Sequence, residues 1–365
     1  MLKPFPFPRR ARLALLSGLL AVALVLAGSP AGAVLPVGEA VVVARERSGE
    51  RTLDLTIDSP AVGARVKTRI LLPPGFDDQP ARTWPVIYLL HGCCNKNGGW
   101  DRWTALTDVA EITAGTEALI VMPEGGAVGY YSDWWNGGRG GPPAWETFHL
   151  GELPPLLARE VRAGPRRAVA GASMGGTGAL EYAGRYPEFF RAAASYSGRL
   201  DTRLDAAAVR RRLVDHGHDP DAMWGDPVAQ AGIWAAHNPC DVLRNIPAGF
   251  PVYVSNGDGT PGPLDDPNAP FDALEAQFEG MAEAYVDRAR RQGVAVTAHL
   301  YGPGRHNYAY WEREFALSLP MLARAVGAAT TVPAPAGEVS PGPGQPRGQV
   351  EVLPGEAVLE PSAGE

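Results

Sequence analysis

Ser173 stands in Gly171-Ala172-Ser173-Met174-Gly175, a G-x-S-x-G pentapeptide. A serine hydroxyl attacks a carbonyl usefully only when a base takes its proton, so the chain must also supply a histidine and an acid. It contains seven histidines. His306 is the candidate base. It closes Tyr301-Gly302-Pro303-Gly304-Arg305-His306, a Gly/Pro loop ahead of a helical stretch, and it follows the serine in the chain order nucleophile, acid, base. His216 and His218, in Asp215-His216-Gly217-His218-Asp219, read as a solvated loop, since two histidines beside flexible aspartates are too few for a metal. His149 and His237 fit helix surfaces or helix starts, and His299 fits a hydrogen-bonded place in a strand. No metal and no cofactor is expected.

The acid has to orient the imidazole and stabilise its charge. The segment after Phe250–Val254 offers Asp258, Asp265, Asp266, Asp272 and Glu275, and spacing alone favours Asp258. Two backbone N–H groups must meet the charge that develops on the carbonyl oxygen. One is expected from Met174, directly after the serine, and the other from Cys93 in the loop His91-Gly92-Cys93-Cys94. Tyr130, Tyr131, Trp134, Trp135 and Trp145 are candidates either to line an acyl or sugar cleft or to pack the core.

These groups need elements to hold them. Ala168–Ala170 reads as a short buried strand and Thr177–Tyr186 as a helix, so the pentapeptide lies on a strand–turn–helix junction, the setting of a nucleophile elbow. Gly171, Gly175 and Gly176 keep the turn free of bulk. Thr52–Ile57 alternates apolar and polar residues as a strand does, with Val66–Leu72 as its antiparallel partner. Val86–Leu90 and Ala118–Met122 are continuous apolar runs, as expected of strands covered on both faces. Phe250–Val254 and Ala295–Leu300 are later strands; Trp145–Val161, Phe271–Arg291 and Asn307–Val326 read as helices. Strands alternating with helices predict an α/β fold, one domain with a mostly parallel sheet and helices on both faces. Ligands bind such sheets at the carboxyl ends of the strands, where Ser173 would be.

The ends of the chain differ from its middle. Residues 1–33 have a basic start (Lys3, Arg9, Arg10, Arg12), an apolar run over Leu13–Leu26 and a small-residue site at Ala31-Gly32-Ala33. That is an export signal, with the apolar run short of the roughly 20 residues a spanning helix needs. Residues 327–365 are rich in Pro, Gly and Glu with no helical or strand period, and are expected to be disordered. The catalytic body is therefore 34–326, secreted to the extracellular space or cell wall, with no stable membrane insertion. The chain has 33 basic and 40 acidic residues, a net charge of −7. Without the leader's four basic residues the count is 29 against 40, or −11, which disfavours nucleic acid as a partner. A monomer is expected. Of the three cysteines, adjacent Cys93 and Cys94 bridge each other only with difficulty, and either could meet Cys240.

Several segments, taken in order, carry a family likeness. They are Tyr88-Leu89-Leu90-His91-Gly92, Met122-Pro123-Glu124-Gly125-Gly126, Tyr131-Ser132-Asp133-Trp134-Trp135, Trp145-Glu146-Thr147-Phe148 and Glu152-Leu153-Pro154. Gly171 to Gly176, Met223-Trp224-Gly225, Asn256-Gly257 with Thr260-Pro261, and His306-Asn307-Tyr308-Ala309-Tyr310-Trp311 continue the series. With these the chain resembles the secreted antigen 85-type mycolyltransferases and the wider esterase D-like family of α/β-hydrolases, from about Arg51 to Leu322. The resemblance implies a Ser–Glu–His triad, with Glu275 of Leu274-Glu275 as the acid and Asp258 as second choice. It also implies an ester or lipid substrate and a sugar or alcohol acceptor. Trehalose-binding members carry an Asp before the loop glycine and an Arg two residues after it, where this chain has His91 and Cys94. Tyr308 stands where many members have Trp. His91, Trp134 and Tyr308 are accordingly the expected substrate-binding set. The expected function is an exported serine esterase or acyltransferase; the alternative is a non-catalytic cell-wall or matrix binding protein on the same scaffold.

Overall fold

A computed structural model describes residues 39–95 and 98–332. The expected export signal lies outside the described residues, as does the expected tail from residue 333 onward. Residues 327–332 are described, and they dock on the body: Glu117 N–H donates to Ala329 O at 2.8 Å, and the Thr116 and Thr330 hydroxyls are 2.9 Å apart.

Among the described residues nine strands form one sheet: β1 (Val41–Ser48), β2 (Thr52–Ser59), β3 (Ala64–Leu71), β4 (Trp84–Leu90), β5 (Leu119–Pro123), β6 (Ala163–Ala172), β7 (Ala193–Tyr196), β8 (Pro251–Asn256) and β9 (Ala295–Leu300). Their order across the sheet is β1-β2-β3-β5-β4-β6-β7-β8-β9. The first three are antiparallel neighbours and β3 meets β5 antiparallel; every pairing beyond β5 is parallel. The mostly parallel sheet expected from the sequence is present, extended by the antiparallel β1–β3 edge.

Every residue of β4 is buried, which explains its unbroken apolar sequence: each face is covered by a different layer. Val86, Tyr88 and Leu90 point into one core with Leu119, Val121 and Val169; Ile87 and Leu89 point into the other with Ile120, Ala168 and Ala170. The first face is covered by α1 (Leu153–Val161), α2 (Met174–Arg185) and α4 (Ala273–Arg291), together with buried residues of α3 (Ala206–Asp215). The second is covered by α5 (Tyr308–Val326), through Trp311, Phe315, Leu319, Leu322 and Val326. The stretch read as one helix over Trp145–Val161 is helical throughout but passes through a π-helical turn, Phe148–Glu152, before α1.

β6 runs straight into α2 with only Ser173 between them. The turn is tight enough that a Cβ on Gly175 would stand 2.5 Å from Leu90 O and 2.7 Å from His91 O. Glycine at 175 thus lets the helix start press against the end of β4.

Candidate active site

Ser173 has φ 54° and ψ −119°. This is a sparsely populated backbone region for a residue with a side chain, and Ser173 is the N-cap of α2. The hydroxyl is thereby lifted to the carboxyl edge of the sheet, at the wall of a cavity of about 240 Å³. Gly92, Cys93, Tyr130, Met174, Leu274, Phe278, His306, Tyr308 and Trp311 are among its other lining residues.

His306 Nε2 lies 2.8 Å from Ser173 Oγ, and His306 Nδ1 lies 2.6 Å from Glu275 Oε2. Phe278 and Trp311 hold the ring edge-on, with centroids 5.4 and 4.9 Å away. Glu275 is fully buried, and a buried carboxylate needs donors. It has them: Gly257 N–H at 2.8 Å, Asn256 Nδ2 at 3.0 Å and Ser197 Oγ at 2.7 Å, all to Oε1.

Local sequence explains how Glu275 comes to be there. Asp272 caps α4, its Oδ1 accepting from Leu274 N and Glu275 N at 3.1 and 3.2 Å. In an ordinary capping box the glutamate three residues on would fold back to the cap; here it turns inward to β8 and His306. The other cap oxygen, Asp272 Oδ2, accepts from His306 N at 3.1 Å, so one aspartate ties the helix start to the histidine loop. Those bonds hold the Asp272 carboxyl below the usual carboxylate range, against the upward push of its partial burial. Asp258, favoured by spacing, is used elsewhere: it accepts from Thr260 N and Oγ1 at 2.8 and 2.5 Å in a local turn.

The loop after β4 is pinned on several sides. Trp103 Nε1 donates to Leu90 O at 3.0 Å, Tyr131 OH donates to His91 O at 2.9 Å, and Cys94 N–H donates to Ala127 O at 2.6 Å. Cys93 and Met174 both line the cavity beside Ser173, and Tyr308 lines it too. His91 does not. It is 1 % exposed, its Nε2 accepts from Gly125 N at 2.9 Å and its Nδ1 lies 2.7 Å from Gly92 O. Both ring nitrogens serve the loop backbone, and the expectation that His91 binds substrate is corrected accordingly. Trp134 is corrected likewise. It is 4 % exposed and packs in the core, with Nε1 donating to Gly129 O at 3.3 Å and His218 edge-on at 4.8 Å.

Cys93 and Cys94 are joined to each other, not to Cys240, which is free and buried. His149 and His237, expected on helix surfaces or at helix starts, are buried: His149 sits in the π-helical turn between Tyr182 OH and Glu124 O, and His237 follows a short helix, Ala231–Ala236, against Glu181 and Trp224. His299 bonds to Glu314 at 2.8 Å from the edge strand, where its side chain stays 39 % exposed. Among the described residues, Glu146, Glu181 and His237 form a group with metal-ligand spacing. Arg185 already occupies it, donating to both Glu146 oxygens at 2.8 and 2.9 Å.

Ser197 was not singled out from the sequence. It follows β7, has φ 49°, and its hydroxyl accepts from Trp311 Nε1 at 3.1 Å while donating to Glu275. The run Ala192-Ala193-Ala194 ahead of it is the one sequence sign of a strand there.

Residues 59–322 match the Esterase family model, described as "Putative esterase". Esterase Rv1288 of Mycobacterium tuberculosis is 37 % identical over 299 residues, covering 75 % of this chain. The chain spans 62 % of that relative's length. The diacylglycerol acyltransferase/mycolyltransferase Ag85A of M. tuberculosis is 30 % identical over 312 residues, covering 82 % of this chain and 89 % of the relative. The crystal structure of M. tuberculosis MPT51 (FbpC1) aligns with a TM-score of 0.62 over 76 % of this chain and all of that one, at 24 % identity, a likeness of fold. Esterases and acyltransferases thus stand side by side among its relatives, and the chain belongs to the Esterase family of α/β-hydrolases.

Proposed function

We propose that this protein is an exported serine esterase or acyltransferase that works through an acyl-Ser173 intermediate. The observation that carries the reading is the unbroken chain from Ser173 Oγ through His306 to buried Glu275, at 2.8 and 2.6 Å. Ser173 Oγ attacks the ester carbonyl carbon while its proton passes to His306 Nε2. The carbonyl oxygen takes up the negative charge and is met by the N–H groups of Cys93 and Met174, the latter at the positive end of α2. The C–O bond to the alcohol then breaks, and His306 returns the proton to the departing oxygen. Water or a second alcohol, deprotonated by His306 in turn, takes the acyl group from Ser173 and restores the enzyme. Glu275 keeps Nδ1 protonated and steadies the imidazolium. Tyr308 and the apolar faces of Leu274, Phe278 and Trp311 form the wall against which the substrate lies.

Export is supported by the basic start, apolar run and small-residue site of residues 1–33, and among the described residues no helix is long and apolar enough to cross a membrane. The relatives named as acyltransferases support an alcohol or sugar as acceptor. Two measurements test the reading. Ser173→Ala should remove turnover of a p-nitrophenyl ester and labelling by a fluorophosphonate; unchanged turnover would reject Ser173 as nucleophile. Product analysis with an ester donor and glycerol or sugar acceptors then separates transfer from hydrolysis.

A further inference from the structure

One wall of the cavity is cationic in a chain whose net charge is −7. Arg199, in the loop after β7, and Arg212, on α3, both line it beside Ser173. Arg199 is 4 % exposed, pairs with Asp205 and lies over the Phe278 ring, 4.6 Å from its centroid. On α3, Arg210 likewise has a partner, Asp221, at 2.8 Å. Arg212 differs. Among the described residues it enters no ion pair, and its Nη1 points at Cys94 Sγ, 3.8 Å away, on the loop that carries Cys93. The wall therefore holds two guanidinium groups, of which one, Arg199, has a carboxylate partner. Burial pulls Arg199 below its ordinary value; Tyr130 opposes that pull and the Arg212 charge adds to it. A half-buried guanidinium beside a second one is unfavourable until an anion lies against it, and guanidinium matches carboxylate and phosphate oxygens in both geometry and charge.

We propose that the ester accepted by this cavity carries an anionic oxygen group, a carboxylate or a phosphate, and that Arg212 selects it. The inference rests on the Ser173 acyl-transfer reading and names its substrate class. An uncharged ester would leave Arg212 facing the cavity without a counter-charge; an anionic one gains a charge-assisted hydrogen bond there. Because the site is open to solvent on one side, the gain should weaken as ionic strength rises.

The test compares matched esters. One pair is mono-4-nitrophenyl glutarate against 4-nitrophenyl valerate, which differ by a carboxylate on the acyl half. The other is the butyryl ester of glycerol 3-phosphate against monobutyrin, which differ by a phosphate on the alcohol half. The wild-type enzyme should favour the anionic member of at least one pair in kcat/KM, by about 10- to 100-fold. The pair that responds identifies the group. Arg212→Met should bring that ratio close to one, Arg212→Lys should restore part of it, and added salt should shrink it in the wild type. Circular dichroism and Tm check that both variants fold. A wild-type ratio near or below one in both pairs, with Ser173-dependent turnover of the neutral esters intact, overturns this inference and leaves the acyl-transfer reading standing. A ratio that Arg212→Met leaves unchanged in a folded protein overturns it equally. If no ester is turned over and no fluorophosphonate reacts with Ser173, the reading itself fails and this inference with it.

Discussion

The molecule contains two histidine–glutamate pairs of nearly the same length in very different surroundings. His306 Nδ1 lies 2.6 Å from Glu275; His237 Nδ1 lies 2.5 Å from Glu181. Both carboxyl groups are fully buried. Glu275 is met by three donors besides the ring. Glu181 has, apart from His237, a 3.5 Å bond from Ser132 Oγ and the Arg185 guanidinium at 4.0 Å, both to the same oxygen, and its Oε2 has no hydrogen-bond partner among the described residues. Burial accordingly raises the Glu181 carboxyl well above its ordinary value and pushes His237 down to about 4. Burial thus works against the charged form of both members of this pair, whose ring is stacked on Trp224 at 5.5 Å. The other pair has its free nitrogen on a serine at a cavity wall. A His–Glu contact is thus a structural feature or a reactive one according to what solvates the carboxylate and what the second nitrogen meets.

The comparison is broken most directly by replacing each carboxyl with an amide. Glu275→Gln should lower kcat by roughly 10³- to 10⁴-fold, because the amide misorients the imidazole and cannot stabilise its charge. Glu181→Gln should leave kcat within about 3-fold of wild type, since neither Glu181 nor His237 lines the cavity beside Ser173. Ester kinetics on the two variants decide it, and equal losses would erase the distinction.

Removing one donor sharpens it. Ser197→Ala takes a hydrogen bond from Glu275 while leaving the triad side chains in place, and should cost about 10-fold in kcat, with roughly 1–2 kcal/mol of stability by denaturant titration. Asp258→Asn is the control on the acid: its side chain serves only the Thr260 turn, and activity should stay within about 2-fold.

A pH effect should also separate the two regions. Burial holds His149 near about 3 and His237 near about 4, against an ordinary value of 6.5. Below that value the unfolded chain binds protons that the fold refuses. Each histidine should therefore lose stability as the pH drops, by up to about 1.4 kcal/mol per pH unit, until the folded state also takes the proton. The raised Glu181 carboxyl acts in the opposite sense beside His237, because the fold takes that proton before the unfolded chain does. His149 is therefore the clean test: Tm measured between about pH 7 and about pH 5.5 should fall less in His149→Gln than in the wild type.

The strands and helices that position the site were legible because their signals are local. The apolar run of β4, the glycines around Ser173 and the loop before His306 each restrict the backbone within a few residues. β1 and β7 were missed: β1 is an edge strand with mostly exposed residues, and β7 is a four-residue alanine-rich strand. Neither leaves a periodic pattern. His91 and Trp134 misled for a related reason. A polar or aromatic residue beside a reactive loop has the same sequence signature whether it faces the cavity or braces the loop from behind. Asp258 misled because closeness to β8 along the chain is a poor measure of reach: the helix cap at Asp272 turns Glu275 back to the end of β8 and His306, while Asp258 closes the Thr260 turn.

What the sequence determined by itself was the elbow, the alternation of strands and helices, and the order of serine, acid and base, since these follow from backbone sterics and hydrophobic period over short stretches. Which acid meets His306, which side of the loop each aromatic takes and which of the two cavity arginines has a carboxylate partner were decided by the tertiary structure. Most of those are contacts between segments tens to more than a hundred residues apart, and they depend on how the buried layers share donors, acceptors and space.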